Sequence, residues 1–158
     1  MHIHLIATAK RPPSWVRQGY GEYVKRLPSQ LAPILTELAP RSGHPKGQAR
    51  ARALDDEGER MLAAVPARAR VVALEVAGQP WSTEQLAVRL GRWLTEGRDV
   101  ALLVGGPEGL APQCRSRADE QWSLSPLTLP HALVRVLIAE QIYRAWSILQ
   151  GHPYHRGD

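Results

Sequence analysis

The sequence predicts an α/β fold: an open, mostly parallel sheet with helices on both faces. Three observations lead there. Short aliphatic and β-branched runs, "HIHLIAT", "RVVALEV" and "DVALLV", recur along the chain, and the last two are largely apolar, as strands covered on both faces are. Between them lie stretches with apolar residues at helical spacing. Strand and helix alternate almost from end to end, the pattern of parallel sheets joined by helical crossovers.

Residues 2–8 place Ile3, Leu5 and Ala7 on one strand face, and "RPPS" ends the run. Ser14 is placed to cap a helix over 15–26, and Pro28 and Pro33 bracket its exit toward a second strand at 34–39. A helix at 47–65 ends at Pro66. The third strand, 70–76, is closed by "GQPW". Ser82 and Gln85 then make a capping box. Leu86, Leu90, Trp93 and Leu94 follow at i, i+4, i+7 and i+8, an apolar helix face that Gly97 stops. A strand at 99–104 runs into "GGPEGLAP", and a short helix at 112–118 leads to a last strand at 121–125. The final helix, 131–149, has a narrow polar face in which Glu140, Arg144 and Ser147 align at i, i+4 and i+7. A helix so apolar elsewhere demands more cover than one sheet face, so a partner surface is expected, most simply in a symmetric homodimer.

The 158 residues fit a single domain spanning 1–158, able to bury about two-thirds of its unfolded surface. With 44% hydrophobic and 22% charged residues the chain is neither disordered nor fibrous in type. The one cysteine, Cys114, makes neither an intrachain disulfide nor a multi-thiolate zinc site, which fits a reducing, cytoplasmic setting. The apolar stretch at the N-terminus is too short for a signal peptide, and no run approaches the ~20 residues of a membrane span, so no membrane partner is expected. The net charge of +5 is uneven: residues 1–54 hold nine Lys or Arg against Glu22 and Glu37. Within 41–54, Arg41, Lys46, Arg50 and Arg52 stand without an acid, and Asp55, Asp56, Glu57 and Glu59 follow. One such run reads as a solvated helix face. Excess over the whole half fits a polyanion such as RNA, bound with release of counterions.

In open α/β sheets ligands bind beyond the carboxyl ends of the strands. Three stretches lie at that edge: the end of "VVALEVAG", the "GGPEGL" loop and "SLSPLTLPH". Gly105 and Gly106 allow close backbone approach and Gly109 allows positive φ, though a plain tight turn would use the same glycines. G-x-G-x-x-G and G-x-x-x-x-G-K-[ST] are missing, which disfavours a Rossmann dinucleotide site or a P-loop. H-E-x-x-H and G-x-S-x-G do not occur either, and Cys114, without an evident base, reads as an ordinary thiol. His152 and His155 have a spacing seen in some metal sites, but two imidazoles on a proline-containing tail are too few ligands, and no metal is expected. Glu140 and Arg144 make a favourable i, i+4 pair, conspicuous on an otherwise apolar helix.

Taken together, "LLVGGPEGL", "WSLSPLTLPHALVRVLIAEQIYRAWSI" and "HPYHR" resemble the ribosomal RNA large subunit methyltransferase H family, small enzymes of the SPOUT class. The likeness extends to "PPSWVRQGYGEYVKRLP", "DDEGERML" and "GQPWSTEQLA"; it is most specific from Val104 onward and weakest over 39–50. It implies methylation of N3 of a pseudouridine in 23S ribosomal RNA, on the assembled ribosome, with S-adenosylmethionine as donor. It also implies a trefoil knot in the C-terminal part of the sheet, a topology too rare to expect otherwise. Carried over position by position, it assigns the donor to Leu74, Gly105, Leu124, Ser125, Pro126, Leu127, Thr128 and Leu129. Pro126 departs from the small non-proline residue expected there and removes a backbone donor. The resemblance further implies a homodimer in which the tail of one subunit completes the site of the other. On side-chain chemistry, Arg144 and Arg156 are placed to stabilise negative charge on the base carbonyls, and Glu140 or His155 to take the proton. Tyr154 is placed to stack on or hydrogen-bond the base. Residues 154–156 then read as a mobile flap, with Gly157 and Asp158 plain. Two readings from other classes stand beside this one: a catalytically silent RNA-binding α/β module using the basic half, and a nucleotide-binding α/β protein indifferent to RNA.

Overall fold

A computed structural model describes residues 1–40 and 45–156. Five strands, β1 (Ile3–Thr8), β2 (Ile34–Leu38), β3 (Arg70–Pro80), β4 (Val100–Val104) and β5 (Glu120–Ser123), form one sheet in the order β2-β1-β4-β3-β5. Every pairing is parallel. The helices are α1 (Ser14–Val24), α2 (Gln48–Ala63), α3 (Thr83–Glu96), α4 (Pro112–Arg117) and α5 (His131–Leu149), with a 3-10 turn at Pro153–Arg156. The predicted class is therefore observed.

Each sheet face has its own core. Ile3, Leu5, Val72 and Leu102 face α3 and α5, where Leu86, Leu90, Trp93, Ile138 and Ile142 cover them. Ile6, Val71, Ala73 and Leu103 face the other way, onto Met61 of α2 and Leu110 and Cys114 beside α4. β4 is buried along its whole length, which is why it reads as an unbroken apolar run. Each large aliphatic side chain so enclosed contributes about 1.5–3 kcal/mol, and the core fixes the sheet edge from which the functional loops project.

The capping box of α3 forms as expected: the Ser82 hydroxyl accepts from the Gln85 amide at 3.2 Å, and the Gln85 side chain accepts from the Ser82 amide at 2.9 Å. Gly97 closes the helix at φ 71°, a left-handed conformation cheap only for glycine.

Three expectations need correction. Ser14 does not cap α1; Pro13 holds the cap position, and its carbonyl accepts from the Val16 and Arg17 amides. β3 does not stop at residue 76. It continues through an irregularity between Leu74 and Gln79, because β5 offers Trp122 and Ser123 as partners to Gln79 and Pro80. Ser147 does not share the polar face of α5: it is buried and its hydroxyl donates to the Tyr143 carbonyl at 2.8 Å. The last helix, α5, packs on the sheet between α1 and α3. Arg41, Gly157 and Asp158 lie outside the described residues. Among the described residues no helix is long and apolar enough to cross a membrane.

Candidate active site

Because the strands run parallel, the chain leaves β3, β4 and β5 at the same edge of the sheet. There it forms a cleft of about 190 Å³. Leu74, Glu75 and Val76 of β3 make one wall, Gly105, Gly106 and Pro107 after β4 make the floor, and Leu124, Ser125, Leu127, Thr128 and Leu129 after β5 close it. Of the residues assigned to the donor, Pro126 alone is absent from the lining. The loop between β5 and α5 is held by its own serines: the Ser123 hydroxyl donates to the Ser125 carbonyl at 3.2 Å, and the Leu127 amide donates to the Ser125 hydroxyl at 3.0 Å. A methyl group on Gly105 would sit 2.4 Å from the Gly109 carbonyl carbon, so this glycine is required for the turn itself.

Sequence reasoning placed Glu75, Val76 and His131 in the edge stretches without giving them a role, and it missed Trp122 and Val134; all five line the cleft. Trp122 stacks on Trp81 at 5.0 Å, and the Arg89 guanidinium lies 4.0 Å from the Trp81 ring centre. At the mouth, Leu127 and Val76 are 69% and 57% exposed, an apolar rim suited to a flat ligand face. Glu75 Oε1 is buried without a hydrogen bond; Arg115 Nη1 stays 3.6 Å away. A buried carboxylate oxygen with an ion-pair contact to Arg115 but no hydrogen bond retains acceptor capacity for a ligand that carries hydroxyl or ammonium donors.

A second constellation lies farther along α5. Glu140 Oε1 accepts from Arg144 Nε at 2.8 Å, from Arg144 Nη2 at 2.6 Å and from the Tyr154 hydroxyl at 3.2 Å. Glu140 Oε2 accepts from Gln141 at 2.7 Å, and the Gln141 carbonyl oxygen in turn accepts from the Thr83 hydroxyl. Arg144 Nη1 also donates to the Tyr154 carbonyl at 3.2 Å. Residues 153–156 are thus folded back on α5, with the Tyr154 ring 4.6 Å from that of Tyr143, rather than extended as a free flap.

The electrostatics agree with this role. Hydrogen bonding to Glu140 raises the Arg144 guanidinium further. Burial, then the Glu140 carboxylate, pushes the Tyr154 phenol up to about 12, so it remains a donor at any working pH. The sequence placed Glu140, Arg144 and Tyr154 in one site, and they do meet. His155 contacts the His152 carbonyl through Nδ1, leaving Nε2 uncommitted, and Arg156 is exposed.

The cleft and this cluster are apart. Val134, the last residue of α5 to line the cleft, precedes Glu140 and Arg144 by six and ten residues, about 9 and 15 Å at the helical rise. Among the described residues no group of three or more His, Cys, Asp or Glu could hold a metal.

A family model described as "Predicted SPOUT methyltransferase" matches residues 1–155. The chain belongs to the SPOUT methyltransferase family. Relatives of this SPOUT methyltransferase include proteins called ribosomal RNA large subunit methyltransferase H. That of Pseudomonas fluorescens is 58% identical and that of Methylococcus capsulatus 55%, each over 99% of this chain and 100% of its own. Among solved structures, a probable methylase family protein from Haemophilus influenzae shares the fold with a TM-score of 0.54 at 13% identity, over 96% of this chain and 68% of its own. A Legionella pneumophila protein in complex with the bound cofactor SAM aligns with a TM-score of 0.51 at 11% identity, over 92% and 66%.

Proposed function

We propose that this SPOUT methyltransferase methylates N3 of a pseudouridine in 23S ribosomal RNA on the assembled ribosome, with S-adenosylmethionine as donor. The observation that carries the reading is the cleft, with its apolar rim and a Glu75 oxygen that has no hydrogen bond, in a chain more than half identical to enzymes named for large-subunit ribosomal RNA. Leu74, Leu124, Leu127 and Leu129 hold the adenine, Ser125, Thr128 and the Gly105 backbone its polar edges, and Glu75 the charged or hydroxyl end. Pro126 supports the turn from outside the lining. The chain is one cytoplasmic domain, and the adjacency of β5 to β3, with three loops meeting at one cleft, supports the trefoil knot of the family.

When bound, the donor supplies a methyl group made electrophilic by its sulfonium. The imide N–H of the base loses its proton, the nitrogen lone pair forms the new bond to carbon, and the carbon–sulfur bond breaks. His155 takes the proton at Nε2, since Glu140 is already engaged by Arg144, Gln141 and Tyr154. Arg156 meets the negative charge that builds on the ring carbonyls. Glu140 and Arg144 hold Tyr154 and the tail in place. A tail held on α5 by Glu140 and Arg144, beyond the end of its own cleft, cannot close over it without unpacking, which supports a homodimer in which each tail serves its partner's cleft.

The test offers the protein ribosomes, separated subunits and free rRNA, with and without the pseudouridine. Transfer to pseudouridine-containing ribosomes alone is expected; equal transfer to pseudouridine-free ribosomes would sink the assignment. Removing residues 152–158 should leave donor affinity intact and abolish transfer. Affinity for RNA without affinity for the donor would instead support the silent RNA-binding module.

A further inference from the structure

The carboxyl edge that carries the cleft also carries a cationic face for which the site has no use. The loop from β1 to α1 and the first turn of α1 read "AKRPPSWVR", with Lys10, Arg11 and Arg17 and no acid. Val16 is fully buried and anchors the turn. Its neighbours in the helix lie about 100° to either side, so Trp15 and Arg17 are turned outward. Trp15 is 58% exposed. Among the described residues, the side chains of Lys10, Arg11 and Arg17 make no hydrogen bond or ion pair, whereas at the far end of α1 both Lys25 and Arg26 are paired with Glu22. Free positive charge on this helix is therefore concentrated at the end beside the cleft.

An exposed indole flanked by three unneutralised cations matches one partner chemistry. Every unpaired base offers a π-face to stack on, and its phosphates lie within reach of the flanking cations. A duplex hides its base faces. We infer that Trp15, Lys10, Arg11 and Arg17 form a docking surface for unpaired RNA, with Trp15 stacked on a base and the three cations on adjacent phosphates. The inference rests on the RNA reading above and adds where the RNA outside the target nucleotide is held.

The probe is a single-stranded RNA of about ten nucleotides, beside a hairpin of the same length, bound to the full chain between about 50 and 200 mM salt. Trp15→Ala should weaken single-strand binding on the order of ten-fold or more, and Trp15→Phe, which keeps a stacking face, should restore most of it. The triple variant Lys10→Gln/Arg11→Gln/Arg17→Gln should reduce the salt slope by roughly 2, about 0.7 per phosphate contact. Calorimetric affinity for S-adenosylmethionine and the sedimentation coefficient should not change. Unaltered binding by Trp15→Ala together with an unaltered slope in the triple variant would overturn the inference. So would a Trp15→Ala protein that sediments at lower mass, which would make Trp15 a subunit contact, or a hairpin bound as tightly as the single strand. The readout needs no methyl transfer: a wild-type chain that binds RNA through Trp15 but leaves ribosomes unmethylated refutes the activity and keeps the surface.

Discussion

Arg135 is 3% exposed, and none of its three guanidinium nitrogens has a hydrogen-bond partner. Its counter-charge is Glu37, with Oε1 3.3 Å from Nη1. Burial here is severe enough to push the nearby Tyr20 phenol up to about 12, even though Arg135 pulls it down. Taking a guanidinium out of water costs several kcal/mol, which a single ion pair on a partly exposed carboxylate does not fully offset. Arg135→Met keeps volume and drops the charge, so its unfolding free energy should match or exceed the parent's. Glu37→Gln strands the cation and should cost about 1–3 kcal/mol. Urea midpoints of the two variants measure both. Cys114 is simpler. Its thiol is buried, lies 3.6 Å from the Gly58 carbonyl, and is pushed up to about 11 by burial, with Glu57 adding and Arg115 opposing. At pH 8 about one molecule in a thousand is a thiolate, so iodoacetamide should leave the native protein unlabelled and modify it fully in guanidinium. The ordinary thiol of Cys114 was legible in the sequence; Arg135 on the core side of α5 was not, because its place depends on α1 and β2 closing around it.

At the scale of elements, the α2–α4 contact depends on Gly58. A glycine within a helix normally weakens it by about 0.5–1 kcal/mol relative to alanine. Here an added methyl would lie 2.5 Å from the Ala111 methyl and 2.7 Å from the Gln113 amide nitrogen. Gln113 donates to the Asp55 carbonyl at 2.9 Å, so it cannot swing away freely. Gly58→Ala should therefore destabilise by about 1–3 kcal/mol, as overpacking does, and thermal melting would show the reversed sign. Sequence patterns located the five strands and five α-helices described, with α3 and β4 carrying theirs almost without exception, but not the 3-10 turn at Pro153–Arg156. What local patterns could not show was decided by distant partners. "GQPW" reads as a turn until β5 lies alongside, and Ser14 reads as a cap until two prolines set the chain direction at Pro13.

For the whole molecule, the three cleft loops were legible because all of them follow parallel strands and so must share one edge. Glu75 and Val76 lie within the first of the three edge stretches but carry no assigned role in the sequence reading, because nothing local shows that the Glu75 carboxylate is buried beside the cleft. The distance between cleft and tail could not be read at all, since it depends on the tail folding back onto α5. That distance makes a quantitative prediction. A Gly105→Ala protein should lose donor binding and a 152–158 deletion should lose transfer. In an equimolar mixture of the two, about half the dimers carry one intact cleft opposite one intact tail, so activity should recover to roughly a quarter of wild type. Activity no higher than that of either variant alone would show that each chain serves itself. One wall of the cleft also has an optical property. Trp122 lines the cleft and stacks on Trp81, and the chain has no phenylalanine and five tryptophans. A ligand that enters the cleft should therefore change the protein's own tryptophan emission, and a Trp15→Phe chain should report that change with less background from the exposed indole.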